Sequence, residues 1–164
     1  ILRGAEEAGA TVDKVILARL KIAPCTGCDA CQESGLCIYR DDMPALLEEM
    51  RRSLVWVLGT PVYWWGPSAQ FKAFLDRWYA KVFLPEDRAL FEGRRIVLAI
   101  PLGDTDAAVA RHTVGMLNDA IAYVKGNIVA TIIAPGVNDR GEVCRYPEVL
   151  ERARAAGRQA VQQG

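Results

Sequence analysis

A single histidine, His112, is all that this chain carries, and no Ser-His-Asp arrangement can be assembled with so little. It falls inside an expected helix, where a surface or packing role is the ordinary one. Charge of either sign is also in no excess. Twenty Lys and Arg balance twenty Asp and Glu, and no basic stripe or block of like charge interrupts the balance. Nucleic acid and anionic membrane are therefore poor partners. The most apolar stretch, residues 54–66, is short and broken by a Gly-Thr-Pro turn, so it does not span a bilayer. Repeats, low-complexity tracts and a recognisable secretory signal are lacking as well. What these absences leave is a soluble protein, expected in the cytoplasm. With 164 residues, 51% of them hydrophobic, one domain with a substantial core is expected.

Cysteine, by contrast, is concentrated. Four of the five fall in Cys25-Thr-Gly-Cys28-Asp-Ala-Cys31-Gln-Glu-Ser-Gly-Leu-Cys37, a C-x2-C-x2-C-x5-C spacing. A run of three thiolates at successive x2 intervals wraps one side of an iron-sulfur cubane, and the following segment folds back to present the fourth. Iron and sulfide are thus the first ligands to consider. A structural zinc site more often pairs two C-x2-C knuckles across a longer spacer, so zinc and free thiols stand as the alternatives. Disulfides come last in a chain of this size without a secretory signal. Cys144, remote in sequence, reads as an ordinary free thiol.

Along the chain, apolar runs of strand length alternate with amphipathic helical patterns. Residues 2–8 form helix and end at Gly9. Val12, Val15, Ile16 and Leu17 read as a strand, followed directly by the cysteine loop. Asp41 or Asp42 caps a helix with Met43, Leu46, Leu47 and Met50 on one face. Strands are expected over residues 54–59, 96–100 and 128–133. The helices between them carry Phe71, Phe74, Leu75, Trp78 and Val82, then, from about Thr105, Ala110, Val114, Leu117, Ile121 and Val124. Pro147 opens a final helix running to Gln162. Strands apolar at nearly every position, alternating with such helices, signify an α/β protein with a doubly wound parallel sheet, helices covering both faces.

Such a sheet binds its ligand outside the carboxyl ends of its strands. Three loops are expected at that edge: the cysteine loop, Thr60-Pro61-Val62-Tyr63-Trp64-Trp65-Gly66, and Leu102-Gly103-Asp104. The second holds three aromatics against which a planar ring could lie; plugging the sheet end or an oligomer interface is the plainer use. Gly103 permits close backbone approach, and Asp104 reads foremost as the N-cap of the next helix.

Gly59-Thr-Pro-Val-Tyr63 leading into Ser68-Ala-Gln-Phe-Lys-Ala-Phe-Leu-Asp-Arg77 resembles the hallmark of the flavodoxin-like NADPH-dependent FMN reductase family. The cysteine motif resembles that of its iron-sulfur flavoprotein branch. Asp41-Asp-Met43, Ala134-Pro-Gly136, Gly141-Glu-Val143 and the segment 147–153 extend the likeness over essentially the whole chain. The resemblance implies a three-layer α/β/α fold with strand order 2-1-3-4-5. Family members open on a strand and a Ser/Thr- and Gly-rich loop for the FMN phosphate, ahead of the helix whose tail matches residues 1–9. Residues 1–164 are therefore expected to be one flavodoxin-like domain, N-terminally incomplete by about 25 to 35 residues, with the phosphate loop upstream of Ile1. A gap is then expected between the strand near Val12 and the one near Leu54.

The activity implied is an FMN-dependent oxidoreductase that passes electrons from NAD(P)H through FMN, and through a [4Fe-4S] cluster, to a quinone, flavin or protein acceptor. Cys25, Cys28, Cys31 and Cys37 would hold the cluster. Backbone groups of Pro61, Val62, Tyr63, Trp64, Trp65 and Gly103, with Asp104 beside them, would hold the flavin, and an aromatic would cover one face. Two other classes stand beside this reading: a non-enzymatic flavodoxin-like electron carrier, and a zinc-stapled interaction module. The surplus of aromatics, together with the resemblance, points to a homodimer or homotetramer.

Overall fold

The computed structural model describes residues 1–162. Its elements are helix α1 (Leu2–Glu7), α2 (Met43–Arg52), strand β1 (Val55–Gly59), β2 (Val62–Tyr63), β3 (Gly66–Pro67), α3 (Ala69–Asp76), α4 (Pro85–Arg88), β4 (Arg95–Pro101), α5 (Arg111–Tyr123), β5 (Asn127–Ala134) and α6 (Pro147–Gln162). Short 3-10 turns precede or join several of them, at Leu17–Arg19, Arg77–Lys81, Ala107–Ala110 and Glu142–Arg145.

β1, β4 and β5 make one parallel sheet in that order, with Val55 opposite Arg95 and Ile96 opposite Ile128. Each crossover carries a helix that must return along the sheet, which is how consecutive parallel strands are joined. Alternate side chains divide between the two faces. Trp56, Leu58, Ile96, Leu98 and Ile100 pack with Met43, Leu47, Phe71, Phe74, Leu117 and Ile121 from α2, α3 and α5. Val97 and Ile132 face the other way, onto Val149, Ala156 and Ala160 of α6. The result is the flavodoxin-like three-layer arrangement expected.

Trp78 sits at the centre of the larger core, with ring centroids 4.8 Å from Phe91, 5.5 Å from Phe74 and 6.0 Å from Trp56. The pairs with Phe74 and Trp56 are edge-on and that with Phe91 is tilted; aromatic pairs are each worth about 0.5–1.5 kcal/mol beyond the area they bury. On the opposite face α1 crosses α6 at contact distance. A Cβ on Gly157 would stand 2.0 Å from the Ile1 carbonyl oxygen, so only glycine permits the crossing there.

The strand expected near Val12 is absent. Residues 10–16 form no regular element and have no sheet partner, and Val15 and Ile16 are exposed. A strand is defined by its ladder, and these backbone groups have no neighbouring strand to bond. Between this segment and the outer edge of β1 runs a groove of about 1120 Å³, bordered by Val55, Val57 and Gly59. This is the gap expected between those two segments. Among the described residues no helix is long and apolar enough to cross a membrane.

Candidate functional site

The stretch between Arg19 and α2 is loop, and it is pinned at both ends by carboxylates. Lys21 N donates to Asp42 Oδ2 at 2.7 Å and Ala23 N to Asp41 Oδ2 at 2.9 Å, while Met43 N donates to Asp41 Oδ1 at 3.2 Å. Asp41 also meets Arg77, the residue that follows α3. Arg77 Nη1 donates to Asp41 Oδ2 at 2.5 Å and to the Ala23 carbonyl at 2.9 Å, and Nη2 donates to Asp41 Oδ1 at 3.2 Å. Arg77 is only 2% exposed, and a buried guanidinium requires such a partner. Burial opposes ionisation of Asp41, but hydrogen bonds from Arg77, Ala23 and Met43 outweigh it and hold the carboxyl below its ordinary range.

Cys25, Cys28, Cys31 and Cys37 line one pocket, whose wall is completed by Arg77 and Tyr79. All four are free thiols; Cys31 is buried, Cys25 and Cys37 half-buried, Cys28 exposed. Burial pushes the Cys31 thiol up, and the neighbouring sulfurs of Cys37, Cys25 and Cys28 add to that rise. An electrostatic influence of this kind requires proximity, so the motif is gathered in space as well as in sequence. Among the described residues no three His, Cys, Asp or Glu side chains close on a single ion. Four soft thiols on one pocket are the donor type that an iron-sulfur cluster takes. The enclosed space is about 20 Å³, little more than one water occupies, so a cluster would need this loop in a more open arrangement. Cys144 is exposed, in the turn Glu142–Arg145, and does not line this pocket.

At the strand ends, Thr60 organises the first loop. It is buried; its Oγ1 accepts from Ser68 N at 3.0 Å and donates to the Pro61 carbonyl at 3.1 Å. Ser68 in turn caps α3, its Oγ accepting from Phe71 N at 3.3 Å. The seven residues between Thr60 and Ser68 form a hairpin, with Val62 opposite Pro67 and Tyr63 opposite Gly66. Trp64 and Trp65 are its two central residues, at φ 50° and 60°. Two left-handed residues are what the tightest hairpin turn demands, a place normally given to Asn-Gly. Trp64 is 92% exposed, and Tyr63 and Trp65 are exposed beside it. The aromatics therefore do not plug the sheet end; they are displayed on a strained turn. Thr113 Oγ1 of α5 steadies it by donating to the Trp65 carbonyl at 3.0 Å.

The loop after β4 is shaped by its neighbour after β5. A Cβ on Gly103 would lie 2.2 Å from Asn138 Oδ1, so glycine is what lets Asn138 lie against this backbone. Asn138 is held in place by Glu142, whose Oε2 accepts from Asn138 N at 2.8 Å and Asp139 N at 3.1 Å. Asp104 does not cap the next helix. Its Oδ1 accepts from Asp106 N at 2.8 Å, and Asp106 caps the 3-10 turn by accepting from Ala108 N at 2.9 Å. That turn begins later than the helical periodicity suggests, which moves the cap two residues on.

Of the residues expected to meet a flavin, Pro61 and Tyr63 border the groove beside β1. Val62 is in the hairpin ladder, Trp64 and Trp65 form its tip, and Gly103 and Asp104 follow the adjacent strand. The cysteine pocket stands apart from them. It adjoins Arg77 and Tyr79 beyond the end of α3, whereas the hairpin precedes its start; eight helical residues separate the two by about 12 Å. Asn138 and the pairing of Asp41 with Arg77 are contributions that the sequence did not single out, and Thr60 stood there only as the first residue of its loop. A small polar residue closing a buried apolar strand was the available signal for Thr60.

Parallel strands flanked by helices on both faces, with loops converging at the carboxyl ends, define a flavodoxin-like domain. The chain belongs to the NADPH-dependent FMN reductase family, whose model matches residues 1–134. An iron-sulfur flavoprotein of Archaeoglobus fulgidus is 36% identical over 98 residues, covering 60% of this chain and 44% of that protein. An FMN-dependent NADH:quinone oxidoreductase of Gluconacetobacter diazotrophicus is 31% identical over 115 residues, 64% of this chain and 57% of that one. The chain thus spans about half the length of these relatives. Among solved structures, an NAD(P)H:quinone oxidoreductase from Methanothermobacter marburgensis superposes with a TM-score of 0.76 at 25% identity, covering 96% of this chain and 83% of that one.

Proposed function

We propose that this protein is an FMN-dependent oxidoreductase of the iron-sulfur flavoprotein kind, taking electrons from NAD(P)H and delivering them to a quinone, flavin or protein acceptor. The observation that carries the reading is that Cys25, Cys28, Cys31 and Cys37 line one pocket in a chain of the FMN reductase family. When bound, FMN supplies acceptance of a hydride and release of single electrons, and a [4Fe-4S] cluster relays electrons one at a time.

The protein's part is position and polarity. The four cysteines hold iron as thiolates, and Asp41 with Arg77 fixes the loop that bears them. Backbone groups of Pro61, Val62, Tyr63, Trp64, Trp65 and Gly103 meet the polar edge of the flavin ring, with Asn138 held against Gly103 to complete that edge. One of Tyr63, Trp64 and Trp65 covers a ring face and sheds water from it. Asp104 shapes its loop by holding Asp106 N. Exposed aromatics at both ends of α3, Tyr63, Trp64 and Trp65 at one and Tyr79 and Phe83 at the other, support a homodimer or homotetramer assembled over these surfaces. A cytoplasmic setting keeps the thiols reduced.

The test is anaerobic NADH and NADPH oxidation by the full-length protein with a quinone or free flavin as acceptor, alongside a visible spectrum of the fresh preparation. Steady turnover, with flavin and broad iron-sulfur absorption, is the expected result. Flavin without nicotinamide turnover makes it an electron carrier, and zinc in place of iron makes the cysteines a structural staple. A monomer by light scattering at micromolar concentration would remove the assembly.

A further inference from the structure

Three buried side-chain N–H groups among the described residues have no acceptor: Arg77 Nε, Trp78 Nε1 and Arg88 Nε. Only Arg77 lines the pocket of the four cysteines. Its two terminal nitrogens each have an acceptor, Nη1 in Ala23 and Asp41 and Nη2 in Asp41, and the guanidinium plane is further confined by the Tyr39 ring, 5.3 Å from its carbon. A guanidinium held on one edge by a bidentate carboxylate presents Nε–H in a fixed direction. Leaving such a donor unmet in a buried place is costly, and it is tolerated where a ligand meets it. The pocket offers the four cysteine sulfurs and the oxygens of Asp29 and Asp76; those two carboxylates already accept from Tyr79 and Lys72, whereas the Cys37 and Cys25 sulfurs act on the Arg77 guanidinium and, among the described residues, have no partner of their own.

We propose that Arg77 Nε–H is a hydrogen-bond donor to the sulfur of the iron-sulfur centre, a ligand thiolate or a bridging sulfide, and that it sets the reduction potential of that centre. The inference rests on the assignment of a cluster to Cys25, Cys28, Cys31 and Cys37. Hydrogen bonds to cluster sulfurs raise the potential, because they favour the state carrying the extra negative charge. Asp41 has the opposite effect: its carboxylate repels that charge while aiming the donor. The two members of one ion pair therefore act on the potential with opposite signs. A purely structural pair would not do so, since loosening the loop from either side disturbs the pocket in the same way.

The experiment is a redox titration of the anaerobically purified full-length protein, followed by the EPR signal of the reduced cluster, for wild type, Arg77→Lys and Asp41→Asn, with iron and acid-labile sulfide measured for each. Lysine keeps the charge facing Asp41 but has no Nε–H at that place. The expected result is about a tenfold weaker hold on the electron in Arg77→Lys, a fall of about 59 mV for a one-electron couple, with iron content retained. In Asp41→Asn the potential should stay level or rise. A full cluster with unchanged potential in Arg77→Lys overturns the role of Arg77 and leaves the cluster standing. Wild type without iron and sulfide overturns the cluster assignment, and this inference with it. Should Arg77→Lys fail to hold iron, pulsed EPR of the reduced wild-type cluster in protein labelled with nitrogen-15 arginine decides: a coupled arginine nitrogen supports the donor, and its absence overturns it.

Discussion

Arg77 and Asp41 are bound through two hydrogen bonds, of 2.5 Å and 3.2 Å, and join the end of α3 to the exit of the cysteine loop. Removing one partner leaves the other charge buried and alone, which costs about 3–5 kcal/mol. Asp41→Ala should therefore lower the unfolding free energy by about that amount in urea denaturation at neutral pH. Loss of less than 1 kcal/mol would mean that the pair opens to water.

The same pair sets an acid limit. Because its hydrogen bonds hold the Asp41 carboxyl below the ordinary value, the stabilisation is complete above the unfolded pKa of about 3.9 and is lost as pH falls through the lower folded value. The stability difference between wild type and Asp41→Asn should be constant from pH 7 to about 5 and shrink below about pH 4. A difference that grows on acidification would contradict this assignment.

Trp64 and Trp65 hold a turn that suits Asn-Gly, at a local cost of about 1–3 kcal/mol each, and Trp64 buries almost nothing in return. Replacing the pair by Trp64→Asn with Trp65→Gly should recover about 1–2 kcal/mol of that cost and raise the melting temperature of the flavin-free protein by roughly 2–8 °C. It should also weaken flavin retention, measured by FMN fluorescence on dilution. A variant no more stable than wild type would show that the rings already pack in the free protein.

At Gly103 the prediction is one of crowding. Gly103→Ala places a methyl against the end of the exposed Asn138 side chain, which can swing aside, and should cost no more than about 1 kcal/mol of stability. It should also weaken FMN binding. Adding Asn138→Ala should recover most of the stability but not the binding. Recovery of both would remove Asn138 from the flavin edge.

How far the chain could be read in advance depended on whether a feature was local. β1, β4 and β5 announce themselves because a strand covered on both faces must be apolar throughout, as Val55-Trp-Val-Leu58 and Ile96-Val-Leu-Ala-Ile100 are. The cysteine motif is equally local. Val12, Val15 and Ile16 have strand composition, yet a strand needs a partner at its edge, and composition does not supply one. The partnership of Asp41 with Arg77 spans 36 residues, and Asn138 meets Gly103 across 35. Neither has a periodic signature. Asp104 and Asp106 are both reasonable caps from sequence; only the 3-10 turn between Asp106 and α5 distinguishes them.

The proposed chemistry requires four cysteines acting as one unit from which Cys144 is excluded. Iron and acid-labile sulfide per chain, measured anaerobically on full-length wild type, Cys31→Ala and Cys144→Ala, test this directly. About four irons and four sulfides are expected in wild type and Cys144→Ala, with a marked loss in Cys31→Ala. Equal iron in wild type and Cys31→Ala, or loss of iron in Cys144→Ala, would contradict it.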